Sequence, residues 1–566
     1  MISTVPFRTE LTTCPYCHRK LVFHRKRERP VRTASGNFTA LHIIMKCSAC
    51  NRRFRSRRLD SIIGHGCTYA NDVMPDISIR RFIEGRSCQE ISSSSGISES
   101  HARRLSNMAL DIFSDIHREN TERLKSSMKS SMKSYILQID GTTDADFRMI
   151  VVARDAVSGF ILMVKRCYSE SHESIKGILE SVKKQFGDPS GITCDMRAGI
   201  ISAALETFPK TPVRICLMHF LRELGKDLMR DMHTNLGMMI NRMRIKDPLK
   251  RIFRDMPDYD QGTLDEIHNG HYEDRGKMEI MSVRRIMEKL VGFTGSSGYG
   301  FPFSLKHLNF YMACKEAMNR LNLLSEKIQS EDAKRYVSSI ECMVKKITDS
   351  PEINATGRKL GSVNALFQSL RRMFMVPDKG KLSDEMDTSD DDLIHGRCDI
   401  FIEHLDVFLH ARIPDHIRTA AKTIIERYRN RESMLFANNP EHTIPRTNNG
   451  MERFFRKVRR NVRKRTGNTN TGNILAQSGE SLALFQNMDN PEYVRIVFGS
   501  DGMAKIFGDH RKRLRDSHMT TKMKIELVDR GMEMLMNDTP PGTVYTEDLM
   551  KEANRIKNAQ RALPGS

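Results

Sequence analysis

The chain has 566 residues, and its 91 Lys and Arg outnumber its 70 Asp and Glu, leaving a formal net charge of +21. A composition of 39% hydrophobic and 28% charged residues excludes wholesale disorder, and at roughly 150 residues per domain the length allows three or four domains. No apolar run approaches the roughly 20 residues that a membrane-spanning helix needs, so no membrane partner is expected. Residues 1–10 lack the basic-then-apolar order of a secretory signal, and twelve Cys are too few for a disulfide scaffold, so an intracellular, soluble chain is expected. A pI near 9.5 makes a polyanion the leading partner.

The basic charge is unevenly placed. Residues 19–58 hold 13 Lys and Arg against one acid, Glu28, and residues 446–465 hold nine against one, Glu452. Between them the acidic stretch from Asp384 to Asp392 reads as a solvated loop. In the first 60 residues, Cys14-Pro15-Tyr16-Cys17 and Cys47-Ser48-Ala49-Cys50 are two CxxC pairs with 29 residues between them. Four thiolates suit tetrahedral Zn²⁺ and leave no open position, so the metal expected here is structural. The runs Val22-Phe23 and Leu41 to Met45 predict strands, and together they make a zinc ribbon over residues 1–60.

Residues 75–128 have helical periodicity, within a helix-turn-helix DNA-binding domain expected over 61–128. A short helix from Cys88, a turn at Gly96, a cap at Ser98 and a helix from Glu99 to Met108 predict a helix-turn-helix with Ile91, Ile97, Ala102 and Leu105 in its core. Ser98, Ser100, His101, Arg103 and Arg104 open the second helix, where side chains reach base edges in the major groove of double-stranded DNA.

Strand-like runs follow at 135–139, 147–153, 160–166, 191–194 and 213–217, with helical stretches at 173–186 and 198–208. The first three are close enough for an antiparallel meander, and the later two are joined by helices, as parallel crossovers require. Asp140 and Asp195 each end an apolar strand, and Glu452 falls in the first turn of a basic helix after Asn448-Asn449-Gly450. Single strand-end aspartates are commonly turn formers, and Asp155, Asp144 and Asp146 are assigned to that class. As a set, Asp140, Asp195 and Glu452 can hold two Mg²⁺ or Mn²⁺ ions about 4 Å apart, with open positions for water and phosphate oxygens. Glu432 and Glu480 compete for the third place; Glu480 lacks the Asn pair and the arginine face formed by Arg453, Arg456, Arg459, Arg460 and Arg463. That face follows i, i+3, i+4, i+7 spacing and suits a DNA backbone.

The ordered Asp140, Asp195 and Glu452, with a helical block before the glutamate, resemble the DDE transposases of the RNase H-like superfamily. Cys216-Leu217-Met218-His219 resembles the CxxH signature of Mutator-like and hAT-like members, and an N-terminal zinc ribbon and helix-turn-helix are familiar in insertion-sequence transposases. The resemblance covers residues 130–490. It implies an α/β fold: an RNase H-like mixed sheet (129–230) interrupted by an all-α insertion (231–440) and completed by a final helix (441–490), with a helical tail (491–566). It also implies divalent-metal-dependent cleavage and transfer of DNA strands at element ends and target DNA, by a homo-oligomer that is at least a dimer on DNA. Cys216 and His219 would support the active site, by packing or orientation, or through His219 touching DNA. With no Trp in the chain, a flipped terminal base would stack on Phe454, Phe455 or a Met of the insertion, or no hairpin intermediate forms. The expected location is the nucleoid in a prokaryotic cytoplasm, or the nucleus of a eukaryote. Two alternatives stay open: a domesticated DNA-binding regulator without catalysis, and an RNase H-like nuclease or resolvase.

Overall fold

A computed structural model describes residues 3–517 apart from 65, 133–134, 144–148, 168–170, 293–299, 377–390, 440–442 and 469–470, and beyond 517 only 525, 527–529, 531–532 and 536. Asp144 and Asp146 therefore lie outside the described residues. The chain divides into two compact units, one of residues 1–120, 464–467 and 491–566, the other of 121–463 and 468–490. Residues 491–566 thus group with residues 1–120 in one compact unit.

In that first unit, strands β1 (Thr4–Arg8), β2 (Leu21–Arg32), β3 (Asn37–Cys47) and β4 (Arg53–Phe54) form a sheet of order β1-β3-β2, with β4 also on β3. The β2–β3 ribbon is much longer than the short apolar runs predict, because main-chain pairing continues through the basic residues from Arg25 to Arg32. Helices Val73–Phe82, Cys88–Ser95 and Glu99–Glu119 follow. A reciprocal capping box of Ser87 and Glu90 starts the second of these, and Gly96, at φ +66°, ends it in the left-handed conformation that favours glycine. Ile91, Ile97, Ala102 and Leu105 are all buried. Ser98 stands at the N-cap position, but its hydroxyl makes no cap bond and lies instead 3.4 Å from that of Ser100. The third helix runs to Glu119 rather than Met108, since its buried stripe continues through Ala109, Ile112, Phe113 and Ile116. Helices Pro491–Phe498 and Met503–Ser517 cover that extension: the Tyr493 hydroxyl bonds His117 Nδ1 at 2.7 Å, and Arg513 donates twice to Glu119 at 2.8 and 3.1 Å.

The second unit holds β5 (Ile136–Thr143), β6 (Met149–Asp155), β7 (Ile161–Cys167), β8 (Gly191–Cys194) and β9 (Val213–Ile215) in the order β7-β6-β5-β8-β9. β5, β6 and β7 pair antiparallel, and β5, β8 and β9 pair parallel through helices His172–Phe186 and Ala198–Thr207, as the strand spacing predicts. Asp155 is the turn former expected: buried, it accepts hydrogen bonds from the main chain of Ile136, Val157 and Ser158. A long helix, Leu217–Arg242, leads into the helical block, and helices Asn449–Thr466 and Gly472–Phe485 return to the sheet. No described helix is long and apolar enough to cross a membrane.

One expectation is corrected. The acidic stretch is not simply a solvated loop: residues 384–390 lie outside the described residues, but Asp391 opens helix Asp391–Phe408 and is buried. It accepts two hydrogen bonds, at 2.6 and 3.0 Å, from the fully buried Arg214 of β9. The reason is electrostatic: a guanidinium inside the unit must be paired, and Asp391 is the carboxylate that reaches it. Removing one partner of a buried pair strands the other charge. Asp391→Ala should therefore destabilise the protein by about 3–5 kcal/mol, and Asp391→Leu combined with Arg214→Met by clearly less, as read from denaturant midpoints.

Candidate active site and metal centre

The four cysteines Cys14, Cys17, Cys47 and Cys50 come together where β2 begins and β3 ends, with their sulfurs all within 4.8 Å of one another. The two CxxC turns share one geometry. Cys14 and Cys47 each donate their N–H to the carbonyl five residues on, of Arg19 and Arg52, at 2.9 Å. The residue after each second cysteine, His18 at φ +56° and Asn51 at φ +60°, is left-handed. Thiolates about 2.3 Å from one ion stand about 3.8 Å apart in a tetrahedron. The observed separations, 3.6 Å for Cys14–Cys50 and 3.4 Å for Cys17–Cys47, fit that arrangement. The main-chain N–H groups of Cys50 and Ala49 aim at the Cys47 sulfur and hold its thiol down to about 6, favouring the thiolate that a metal takes. This group can bind a structural metal.

The carboxylates gather in the second unit because a ladder stops. Parallel pairing of β5 with β8 ends at Ile139–Cys194, so the next residue of each strand, Asp140 and Asp195, is released side by side. Asp140 is thus not at the end of β5, which pairs with β6 through Thr143, but at the end of its parallel edge. Residues 444–448 then lace across the sheet. Thr193 Oγ1 donates to Pro445 O at 3.1 Å, Leu217 N–H to Arg446 O at 2.9 Å, and the Asn448 side-chain amide to Ile139 O at 3.1 Å. Asn448 leads into the Glu452 helix, whose first turn lies so close to β6 that a Cβ at Gly450 would meet the Arg154 guanidinium. Asn448 thereby ties the start of the glutamate's helix to β5.

Asp140, Asp195 and Glu452 line one cleft of about 1060 Å³. Burial, and then the negative charge of Asp195 and Glu452, push the Asp140 carboxyl up to about 7; burial raises Asp195 as well. Without a bound cation the folded chain thus holds these protons more tightly than the unfolded one, so the corner costs stability as pH rises from about 4 through 7. The three carboxylates line the cleft without converging to within 4.8 Å as a set. Arg197 pairs with Asp195 at 3.3 Å and Arg222 with Glu452 at 3.4 Å. His219 shares the wall; burial and the Arg222 charge hold its imidazole down to about 4, so it is neutral at pH 7. Cys216 lies behind the wall, fully buried, and burial pushes its thiol up to about 11.

Of the arginine face, Arg456, Arg459, Arg460 and Arg463 line the cleft with Phe455, while Arg453 is exposed outside it. Phe454 packs toward Ile150 instead. Glu432 is bonded to His395 at 2.9 Å, and Glu480 accepts from the main-chain N–H of Arg166 on β7; neither lines the cleft. Four further cations of the cleft, Arg222, Lys226, Arg427 and Arg431, belong to the helical block and were not anticipated. A signal for two of them was present, because His219, Arg222, Glu223 and Lys226 follow i, i+3, i+4, i+7 spacing directly after the CxxH. In the first unit, Ser98, Ser100, Arg103 and Arg104 are exposed at the start of their helix, and His101 packs its ring 4.5 Å from Tyr69.

Compared with known proteins, the chain matches no family model and no curated protein sequence.

The cysteine group makes a direct prediction. Freshly purified protein should carry one metal ion per chain through these thiolates, and Cys17→Ser or Cys47→Ser should lose it. Because a structural metal contributes folding free energy, a strong chelator should unfold the ribbon. Elemental analysis finding no metal in unchelated protein would refute the assignment.

Proposed function

We propose that the protein is a DNA transposase of the DDE type, in which Asp140, Asp195 and Glu452 carry strand cleavage and strand transfer. The observation that supports this most is the convergence, in one cationic cleft, of two aspartates released by adjacent parallel strands and a glutamate from a helix docked across them. The sheet order, three antiparallel strands followed by two parallel ones, supports reading the second unit as an RNase H-like core. The donor set fits hard divalent cations: three carboxylates, two of them raised by burial, with solvent open beside them. A pair of Mg²⁺ or Mn²⁺ ions held there would activate a water or 3′-hydroxyl and stabilise the leaving oxygen.

The chain's own residues do the rest. Nine Arg and Lys side chains line the cleft against five carboxylates, giving it the positive field that draws in a phosphate backbone. Arg456, Arg460 and Arg463 meet no carboxylate among the described residues, so they are available to phosphates. Neutral His219 offers hydrogen bonds without adding charge beside Glu452. In the first unit the four cysteines hold Zn²⁺ in a ribbon, and the helix from Glu99 presents Ser98, Ser100, His101, Arg103 and Arg104 to the major groove of element ends. These reading modules favour a transposase over a general RNase H-like nuclease, and the intact carboxylate set favours it over a regulator without catalysis. Bringing two ends together requires at least a dimer on DNA.

Asp140→Ala, Asp195→Ala and Glu452→Gln should each abolish Mg²⁺-dependent nicking and joining of element-end DNA while leaving DNA affinity nearly unchanged. Glu480→Gln should stay active. Full cleavage by any of the first three would remove that residue from the set. Binding is best measured in the full chain carrying Asp140→Ala, because residues 491–517 complete the N-terminal core. There, Arg460→Ala should weaken all DNA equally and lower the salt slope by about 1. Arg103→Ala or Arg104→Ala should reduce discrimination between end and random DNA by about 1–3 kcal/mol where the side chain reads a base. Equal loss on both DNAs would make those arginines phosphate contacts.

A further inference from the structure

We infer that Cys216 is a positioning residue: its sulfur, with the Asn448 side chain, forms a buried joint that sets the two aspartates against Glu452. The inference rests on the catalytic reading above and assigns a role to a thiol that the chemistry does not otherwise use. Each arm of the joint ends one step from a carboxylate. The Cys216 N–H donates to Cys194 O at 2.8 Å, next to Asp195. The Cys216 sulfur accepts the Asn448 N–H at 3.2 Å, so a residue standing at the N-cap position of the Leu217–Arg242 helix tethers the start of the Glu452 helix through its side chain. Asn448 O accepts the N–H groups of Met451 and Glu452 at 3.0 and 3.1 Å, and its side-chain amide donates to Ile139 O, next to Asp140, at 3.1 Å. Both residues are fully buried, so water cannot replace a lost contact.

The joint works through hydrogen-bond acceptance. A methyl in place of the thiol leaves the buried Asn448 N–H unsatisfied, whereas a hydroxyl can still accept it. A glutamate helix displaced by a fraction of an ångström loses rate without losing DNA contacts, which lie along the cleft.

The test uses the full chain with Cys216→Ala, Cys216→Ser and Asn448→Ser; the last loses the tie to Ile139. Nicking of element-end DNA gives kcat and KM, Mn²⁺ binding is followed by electron paramagnetic resonance, and folding by thermal melts. Cys216→Ala and Asn448→Ser should lower kcat about 10- to 100-fold at unchanged KM and weaken Mn²⁺ binding. Cys216→Ser should recover most of both. Wild-type kcat and Mn²⁺ affinity in Asn448→Ser and Cys216→Ala overturn the joint, and so does a serine variant as impaired as the alanine one, which would mean that the sulfur only fills space. Should Cys216→Ala fail to fold, Asn448→Ser alone decides, by the same two readings. A wild-type protein that binds Mn²⁺ yet never nicks DNA defeats the catalytic reading instead, and the Mn²⁺ series still reads the joint.

Discussion

The point on which the second unit depends is the end of the β5–β8 ladder. A parallel pair holds two strands in fixed register while it lasts, and where it stops the next residues stand at the same level on neighbouring strands. Here the last pair is Ile139 with Cys194, and the next residues are Asp140 and Asp195. β5 does not end there, because β6 continues to pair it through Thr143. One strand therefore serves as a continuous antiparallel member on one edge and an interrupted parallel member on the other. That asymmetry makes a floor for a cleft without a loop to hold it.

The third carboxylate has to arrive from more than 250 residues away, and the unit meets this with a strap rather than with packing alone. Residues 444–448 use main-chain acceptors along their length: Ile444 O takes Arg214, Pro445 O takes Thr193 and Arg446 O takes Leu217. Arg214 serves twice, holding the strap and the start of the Asp391–Phe408 helix with one guanidinium. A planar group with several fixed donors can make such a junction where lysine could not. The helical block is thereby anchored at both of its ends to β9 and its surroundings, which lets a long insertion separate two halves of a site without loosening it.

Local pattern carried much of this and failed where the deciding contact was distant. The five strands of the sheet, their antiparallel-then-parallel arrangement and the CxxC spacing all follow from short-range periodicity, so they were legible. Asp140, Asp195 and Glu452 reach one cleft as expected, and so do Arg456, Arg459, Arg460 and Arg463, whose helical spacing fixes a common face. Arg453 falls outside, since it sits just beyond that face on the exposed side. Asp391 was misjudged because its acidic neighbours look solvated, and nothing nearby announces a buried arginine 177 positions earlier. The helix from Glu99 was cut short for the same reason: Phe113 and Ile116 are core only because residues 491–517 return to cover them. Arg427 and Arg431 carry no local mark at all and enter the cleft through the packing of the helical block.

The two candidate metal sites differ in a way that follows from their ligands. Four sulfurs on two matched turns enclose a position completely, and main-chain N–H groups lower the Cys47 thiol, so a metal there would be held and shielded. Three carboxylates on separate elements leave their position open, and burial raises two of them, so the site is at ease only with positive charge beside it. In the present arrangement Arg197 and Arg222 supply that charge. Both are partly exposed guanidiniums, a group whose preferred partners include phosphate oxygens. On the proposed function, a phosphate backbone in the cleft would draw these arginines to itself and leave the carboxylates to hard cations. On that reading, the same arginines would balance the cleft when it is empty and contact the phosphates when it is filled.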